Sequence, residues 1–167
     1  LARGFDVYDD QLPRATDGRP LNERPGAETV ARATAWLQAH RSGRFFLWVH
    51  LFEPHAPYGL PDSGAGVQVR YADEIATADR EVGRLVAALE STAASTLVVA
   101  TADHGEAFGE HDEIGHSIFV YDTTLRVPLL MRGPGVPAGV VVRDDVSLVD
   151  VAPTISALTG TPLLPGD

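Results

Sequence analysis

The sequence predicts an α/β protein, layered, with a mostly parallel sheet and flanking helices. Two apolar runs of strand length alternate with two segments of helical periodicity, an order that is typical of this class. The 167 residues suffice for one domain with a hydrophobic core. We therefore expect a single domain over 1–167, in which 1–25 form an irregular connector because Pro13, Pro20 and Pro25 interrupt regular structure.

Two helices are predicted in the first half of the chain. Apolar positions recur at helical spacing from Ala27 to about Arg41. The segment 71–90 is more clearly amphipathic, with a stripe made of Tyr71, Ile75, Ala78, Val82, Leu85, Val86 and Leu89. Asp79 falls on that stripe. Because a buried acid needs hydrogen-bond partners, we expect Asp79 to be a structural anchor.

The strands are predicted from short apolar runs. "RFFLWVHLF", residues 44–52, is continuous and aromatic, which favours a strand buried on both faces with His50 as a satisfied core histidine. "STLVVAT", residues 95–101, is the second strand, and "RVPLLMR", residues 126–132, is the third. A short strand is expected near Val140–Val142, and "DVAPTISALTG" predicts a last helix that ends at Gly160.

The composition excludes several classes of function. A net charge of −10 argues against binding nucleic acid through its backbone. The chain has no cysteine, which excludes disulfides and a thiol nucleophile, and all 13 basic residues are arginine. The longest apolar run, Phe45–Val49, is too short to cross a bilayer. Because the chain begins at Leu1 without a signal segment, we expect it to be a piece of a longer protein, and its compartment stays open.

Two loops that follow predicted strands carry an acid and a histidine each. In α/β folds, ligands bind beyond the carboxyl ends of the strands, so "EPHAPY" and "ADHGE" are expected at one crevice. Asp103 and His104 offer a carboxylate oxygen and an imidazole nitrogen, which suit a divalent cation. Alternatively, Asp103 caps the turn and His104 packs passively. His55, between two prolines, is either a group that contacts an oxyanion or donates a proton, or a loop histidine bonded to backbone.

The segment after His104 adds two histidines and four acids. His111 lies between Glu110 and Asp112 and is expected in a solvated loop, whereas His116 is expected at the rim of a pocket. We expect the four acids to be solvated: Glu106, Glu110, Asp112 and Glu113.

The ordered blocks "FFLWVHLFEPHAPY", "YADEIATADREVGRLVAAL", "TLVVATADHGEAFGEH", "TLRVPLLMRGPG" and "VSLVDVAPTISALTG" resemble the sulfatases of the alkaline phosphatase superfamily. They span nearly the whole chain and are similar to the second half of that catalytic domain. The resemblance implies that Asp103 and His104 are metal ligands, where many sulfatases have Asn at the second place. It implies that His55 contacts the sulfate or the leaving-group oxygen. His116 stands where many sulfatases have a sulfate-binding lysine, and it would bind substrate and act in catalysis with His55.

The resemblance also implies cofactors and partners. Calcium is the expected metal, with manganese or zinc as alternatives because His104 is a nitrogen ligand. The formylglycine nucleophile and two further metal-binding acids belong to the first half of the family's domain. Two ligands hold a hard cation poorly, so this chain alone is expected to be inactive. The expected substrate is a sulfate-ester small molecule or a glycan.

Two other classes of function remain open. Because His116 replaces lysine, and histidine titrates near neutrality, a phosphodiester or phosphonate monoester hydrolase, or a phosphoethanolamine transferase, is an alternative within the superfamily. The third hypothesis is a non-catalytic interaction domain that binds a partner, or a second copy, through an exposed sheet edge.

Overall fold

A computed structural model describes residues 2–18, 21–59, 64–116 and 118–162, without the side chains of Glu90 and Ser91. The chain divides into two compact units, Leu1–Glu90 and Ser91–Asp167, which are described in turn. The single domain expected over 1–167 therefore stays a prediction.

The first unit is built on two helices that pack against each other, α1 over Gly26–Ala39 and α2 over Val67–Ala88. On α1, Val30, Ala33 and Leu37 are buried, which is the spacing of one helical face. A short 3₁₀ segment, Glu90–Ser95, follows α2. Both predicted helices are confirmed, although α2 begins four residues before Tyr71, and 2–18 and 21–25 are irregular as expected.

The start of α1 is held by a carboxylate from a distant part of the chain. Pro25 precedes the helix and supplies no side-chain cap. Instead, the N–H of Gly26 donates to Glu53 Oε1 at 2.8 Å. A carboxylate at this end satisfies an otherwise unpaired N–H and interacts favourably with the helix dipole. Glu53 Oε2 is buried without a hydrogen-bond partner, and this cost offsets part of the gain.

We expect Glu53→Ala to lower the free energy of unfolding by about 1 kcal/mol, the typical loss for an N-terminal helix cap. Urea unfolding followed by circular dichroism measures this change. Glu23→Ala, which removes an exposed carboxylate near the same helix end, is the matched control and should change stability little. Equal stability of the two variants would show that Glu53 does not cap α1.

The strand predicted over 44–52 is not observed, and that prediction is wrong. These residues form no backbone ladder with any described segment, and their side chains alternate in exposure instead of being buried on both faces. Phe46 and Trp48 are 67% and 53% exposed, and His50 is exposed, so it is not a core histidine. An apolar run is buried on both faces only when layers of structure cover both. On the exposed face the Phe5 ring lies 5.9 Å from Phe46 and 6.4 Å from Trp48, and both side chains stay more than half exposed.

The expectation that Asp79 is a buried structural anchor is also wrong, because its side chain is exposed on α2. The buried acid of this helix is Glu81, which is 5% exposed and forms an ion pair with Arg84 at 2.6 Å. Ile75 is also exposed, whereas the other six residues of the predicted stripe are buried or half-buried, so the stripe is confirmed except at Ile75. Periodicity within α2 does not reveal which of its acids is buried, because burial depends on the segments packed around the helix.

The described residues of the second unit form four short strands and two helices. The strands are β1 over Val98–Thr101, β2 over Ala107–Phe108, β3 over Ile114–Gly115 and β4 over Leu129–Arg132. The helices are α3 over Asp122–Leu125 and α4 over Val151–Thr159, with single 3₁₀ turns over Glu110–Asp112 and Leu148–Asp150. The predicted strands at 95–101 and 126–132 are confirmed, as is the last helix, which ends at Gly160 in the left-handed conformation.

Strand pairing differs from the expected mostly parallel sheet. β1 pairs with β4 from Val98↔Arg132 to Thr101↔Leu129, and β2 pairs with β3, both antiparallel. A parallel pair needs a crossover, usually a helix of several turns. Between β1 and β4 the chain offers only a small hairpin and the one-turn α3, so it returns antiparallel.

The strand expected near Val140–Val142 is also corrected, since these residues form no ladder and are exposed. β-branched residues favour a strand only where a neighbouring strand and a covered face are available. Among the described residues, no helix combines the length and apolar composition needed to cross a bilayer.

Candidate functional site

The loop that leaves β1 places Asp103 and His104 at the strand end and turns back at Gly105. The N–H of Gly105 donates to the carbonyl oxygen of Thr124, within α3, at 2.8 Å. A Cβ at Gly105 would overlap the carbonyl oxygen of Thr123, so only glycine fits this approach. The backbone of the loop is therefore anchored immediately after the two candidate ligands.

Asp103 and His104 present their polar atoms on the same side. His104 Nδ1 lies 2.9 Å from the carbonyl oxygen of Gly105, which only accepts, so Nδ1 carries the proton and Nε2 has the lone pair. Nε2 is 3.9 Å from Asp103 Oδ1, and the Asp103 side chain is 80% exposed. Asp103 Oδ1 also accepts the N–H of His104 at 3.0 Å, so the turn-capping alternative describes part of its role.

His116 packs against this pair from the far strand of the β2–β3 hairpin. Its ring centroid lies 3.9 Å from that of His104. Its Nδ1 lies 3.0 Å from Glu106 Oε1, and the Glu106 side chain is only 7% exposed. The expectation that Glu106 is solvated is therefore wrong.

Hairpin register explains the contact. β2 and β3 pair Ala107 with Gly115 and Phe108 with Ile114, so Glu106 and His116 are the next opposed residues. The sequence signal for this hairpin is Gly109, which begins the turn between the two strands, and the expectation of a solvated loop around His111 does not use it.

The tip of the hairpin is polar and strained. His111 and Asp112 have positive φ values of 56° and 60°, and the His111 ring stacks on Tyr121 at 4.1 Å. The Phe108 N–H donates to Glu110 Oε2 at 2.6 Å and lowers the pKa of Glu110. Glu110 and Asp112 are exposed as expected, whereas Glu113 is buried and accepts the N–H of Phe119 at 3.2 Å, which corrects its assignment as solvated.

His55 belongs to the first unit. Its Nδ1 contacts the carbonyl oxygen of Ala56 at 2.7 Å, and its ring lies against Phe52 at 4.3 Å. Glu74 receives the N–H groups of His55 and Gly59 at 3.2 and 2.6 Å. His55, Glu53 and Glu74 line a cavity of about 140 Å³. The contact of Nδ1 with the backbone fits the alternative in which His55 is a loop histidine bonded to backbone. The convergence of His55 with the loop that carries Asp103 stays a prediction.

No group of three or more acid, histidine or cysteine side chains arranged to hold a metal occurs in the described part of the chain. Asp103 and His104 fit a divalent cation as two members of a coordination shell, a carboxylate oxygen and a neutral imidazole nitrogen. The structure thus brings together Asp103, His104 and His116, and adds Glu106.

Comparison with protein families gives one decisive match: the model described as Sulfatase covers residues 2–161. The chain belongs to the sulfatase family. This confirms the resemblance drawn from the ordered sequence blocks. Among curated proteins, the sulfatase chain is 30% identical to human arylsulfatase K over 91% of this chain and 31% of that protein. It is 34% identical to mouse steryl-sulfatase over 92% of this chain and 27% of that protein.

Solved structures support the fold of this sulfatase chain. The crystal structure of Ps i-CgsB in complex with k-i-k-neocarrahexaose matches with a TM-score of 0.67 and 25% identity, over 89% of this chain and 37% of that one. The α/β class and the alkaline phosphatase-like fold are thereby confirmed for the region matched. The chain spans about a third of the length of the curated relatives it matches.

Proposed function

We propose that this chain is the part of a metal-dependent sulfuric ester hydrolase that supplies two metal ligands and a substrate-binding histidine. The observation that carries the proposal is the cluster of Asp103, His104 and His116 around one strand end in a chain of the sulfatase family. An acid oxygen and two imidazoles facing one region are the groups that a metal-assisted ester hydrolysis needs.

Asp103 Oδ1 and His104 Nε2 would hold the cation. Calcium is the expected ion, and the imidazole nitrogen makes manganese or zinc the alternatives. When bound, the cation polarises an ester oxygen and stabilises the charge that develops on it. Further ligands would come from other segments of the protein, because the described residues supply two.

His116 and His55 are the proposed catalytic and substrate-binding groups. His116 stands beside the metal pair and would contact a sulfate oxygen, in place of the lysine of many sulfatases. His55 would assist departure of the alcohol by holding or donating a proton at the ester oxygen. Neither histidine is the nucleophile. That role falls to a formylglycine, whose cysteine precursor this chain does not contain. The chain alone is therefore proposed to be inactive.

The proposed substrate is a sulfate ester of a small molecule or a glycan. The relatives named arylsulfatase K and steryl-sulfatase support the sulfate ester. The complex of Ps i-CgsB with k-i-k-neocarrahexaose supports a saccharide as the alcohol.

Phosphoryl transfer is the second candidate within the superfamily. The observation that favours it is the double histidine, His104 and His116, at places where many sulfatases have asparagine and lysine. An imidazole nitrogen at His104 favours a transition metal such as manganese or zinc over calcium, which prefers oxygen ligands. A phosphodiester or phosphonate monoester hydrolase, or a phosphoethanolamine transferase, would use the same cluster.

Assays of the full-length protein distinguish these candidates. Purified enzyme, treated with chelator and reconstituted with calcium, manganese or zinc, is assayed with 4-nitrophenyl sulfate, bis-4-nitrophenyl phosphate and a phenylphosphonate ester. We expect the highest kcat/KM for the sulfate ester, lost on chelation. A preference for either phosphorus ester in every metal form would overturn the sulfatase assignment. The 167-residue chain alone is the negative control.

An interaction domain is the remaining candidate. Within the described residues β1 and β4 form a two-stranded sheet, and the outer edge of such a sheet is where a further strand would pair. Size-exclusion chromatography of the 167-residue chain tests this candidate. A monodisperse monomer across a tenfold dilution would count against it.

A further inference from the structure

Glu106 is a buried acid for which the proposed chemistry has no role, and it faces the candidate site. Its side chain is 7% exposed although the loop around it is polar. Burying a carboxylate is costly unless it receives hydrogen bonds. One contact of this carboxylate joins Glu106 Oε1 to His116 Nδ1 at 3.0 Å, so the carboxylate lies on the Nδ1 side of the imidazole.

We propose that Glu106 is the positioning residue of His116, fixing the plane of the ring and presenting Nε2 to the ligand. This inference rests on the proposed function and deepens it. An ionised carboxylate only accepts hydrogen bonds, so Nδ1–H is the donor of this hydrogen bond and the Glu106 carboxylate is the acceptor. Nε2, on the opposite side of the ring, is then the nitrogen directed away from Glu106. The same nitrogen is presented whether the imidazole is neutral or protonated.

The pairing of the β2 and β3 backbones also supports this role, because it fixes how far apart the Glu106 and His116 backbones lie. Ala107 pairs with Gly115, which holds the neighbouring Glu106 and His116 opposite each other. The ring of His116 also lies against that of His104, with 3.9 Å between the ring centroids. A change in the plane of the His116 ring would therefore disturb His104, one of the two proposed metal ligands. A carboxylate behind a metal-ligating histidine typically contributes 10–100-fold to metal affinity or activity, and we expect an effect of the same order for the substrate-binding His116.

Glu106→Met is the central variant, because methionine fills a similar volume but does not accept this hydrogen bond. Glu106→Gln is the conservative variant, since its amide oxygen accepts from Nδ1. Glu110→Gln is the matched control, a carboxylate-to-amide change in the same hairpin whose side chain contacts the Phe108 N–H. His116→Gln assigns the resonances of the target ring.

The first readout is the tautomer of His116 in full-length, ¹⁵N-histidine-labelled, metal-free protein at about pH 8.5, roughly two units above the usual imidazole pKa. We expect the Nδ1–H form in wild type, Glu106→Gln and Glu110→Gln, and the Nε2–H form in Glu106→Met. The second readout is sulfate-ester turnover, with kcat about 10–100-fold lower in Glu106→Met, a smaller change in KM, and recovery in Glu106→Gln.

An Nε2–H tautomer in the wild type, or an unchanged tautomer in Glu106→Met, would overturn the positioning role. The wild-type spectrum decides this even if Glu106→Met does not fold. Absence of sulfate-ester turnover in wild type would overturn the proposed function instead, while the tautomer still reports on Glu106.

Discussion

Replacing both Asp103 and His104 with alanine in the full-length protein is expected to abolish metal-dependent ester hydrolysis. The double variant removes the Asp103 oxygen and His104 Nε2, the two ligands that we propose for the cation. A bound metal contributes several kcal/mol of charge stabilisation, so the loss in kcat/KM should be on the order of 10³-fold or more. Steady-state kinetics with 4-nitrophenyl sulfate and metal analysis by mass spectrometry measure both effects.

The matched control for this double variant is His111→Asn with Asp112→Asn. It alters an adjacent acid and histidine in the same segment, and asparagine tolerates the positive φ values of 56° and 60° found there. We expect this control to keep its metal and most of its turnover. Retained turnover together with retained metal in the Asp103/His104 double variant would remove that pair from the site.

Gly133→Ala is expected to cause a large loss of stability in the second unit, about 3 kcal/mol or more. Gly133 follows β4 with φ of 138°, a region that residues with a Cβ rarely adopt. An added Cβ would lie 2.5 Å from the carbonyl oxygen of Thr96 and 2.8 Å from Leu97 Cα. Both obstacles are backbone atoms beside β1, so relief requires separating the β1–β4 pair. Thermal unfolding and urea denaturation measure the change.

Gly139→Ala separates conformational cost from steric overlap. Gly139 also has a positive φ, 70°, but no atom lies within 4 Å of its added Cβ. We expect this variant to lose only about 1–2 kcal/mol, the usual cost of the left-handed conformation. If Gly133→Ala were no worse than Gly139→Ala, the close approach of Gly133 to Thr96 would be wrong.

Helices and short-range strand signals were predictable from the sequence because they depend on local periodicity. Val30, Ala33 and Leu37 lie on the buried face of α1 as their spacing predicts, and Gly160 ends α4 in the left-handed conformation. The strand at Val98–Thr101 is predictable because its residues are apolar and include β-branched side chains. The family follows from five such blocks in one order.

Burial and pairing were less predictable, because they depend on what lies across from a residue. The apolar run at 44–52 predicts coverage on both faces, yet Phe46 and Trp48 are exposed. Asp79 sits on an apolar stripe, yet it is exposed and Glu81 is buried instead. Glu106 was missed for a related reason, since its partner His116 is opposite it only after the hairpin forms.

The β2–β3 hairpin implies an unequal tolerance to change along its length. Substitutions at its exposed tip, between Gly109 and Glu113, leave the opposition of Glu106 and His116 in place. Inserting or deleting one residue there would slip the ladder and turn one of the two side chains to the other face. We therefore expect the tip to tolerate changes in chemical character but not changes in length, because its length sets the register that holds Glu106 opposite His116.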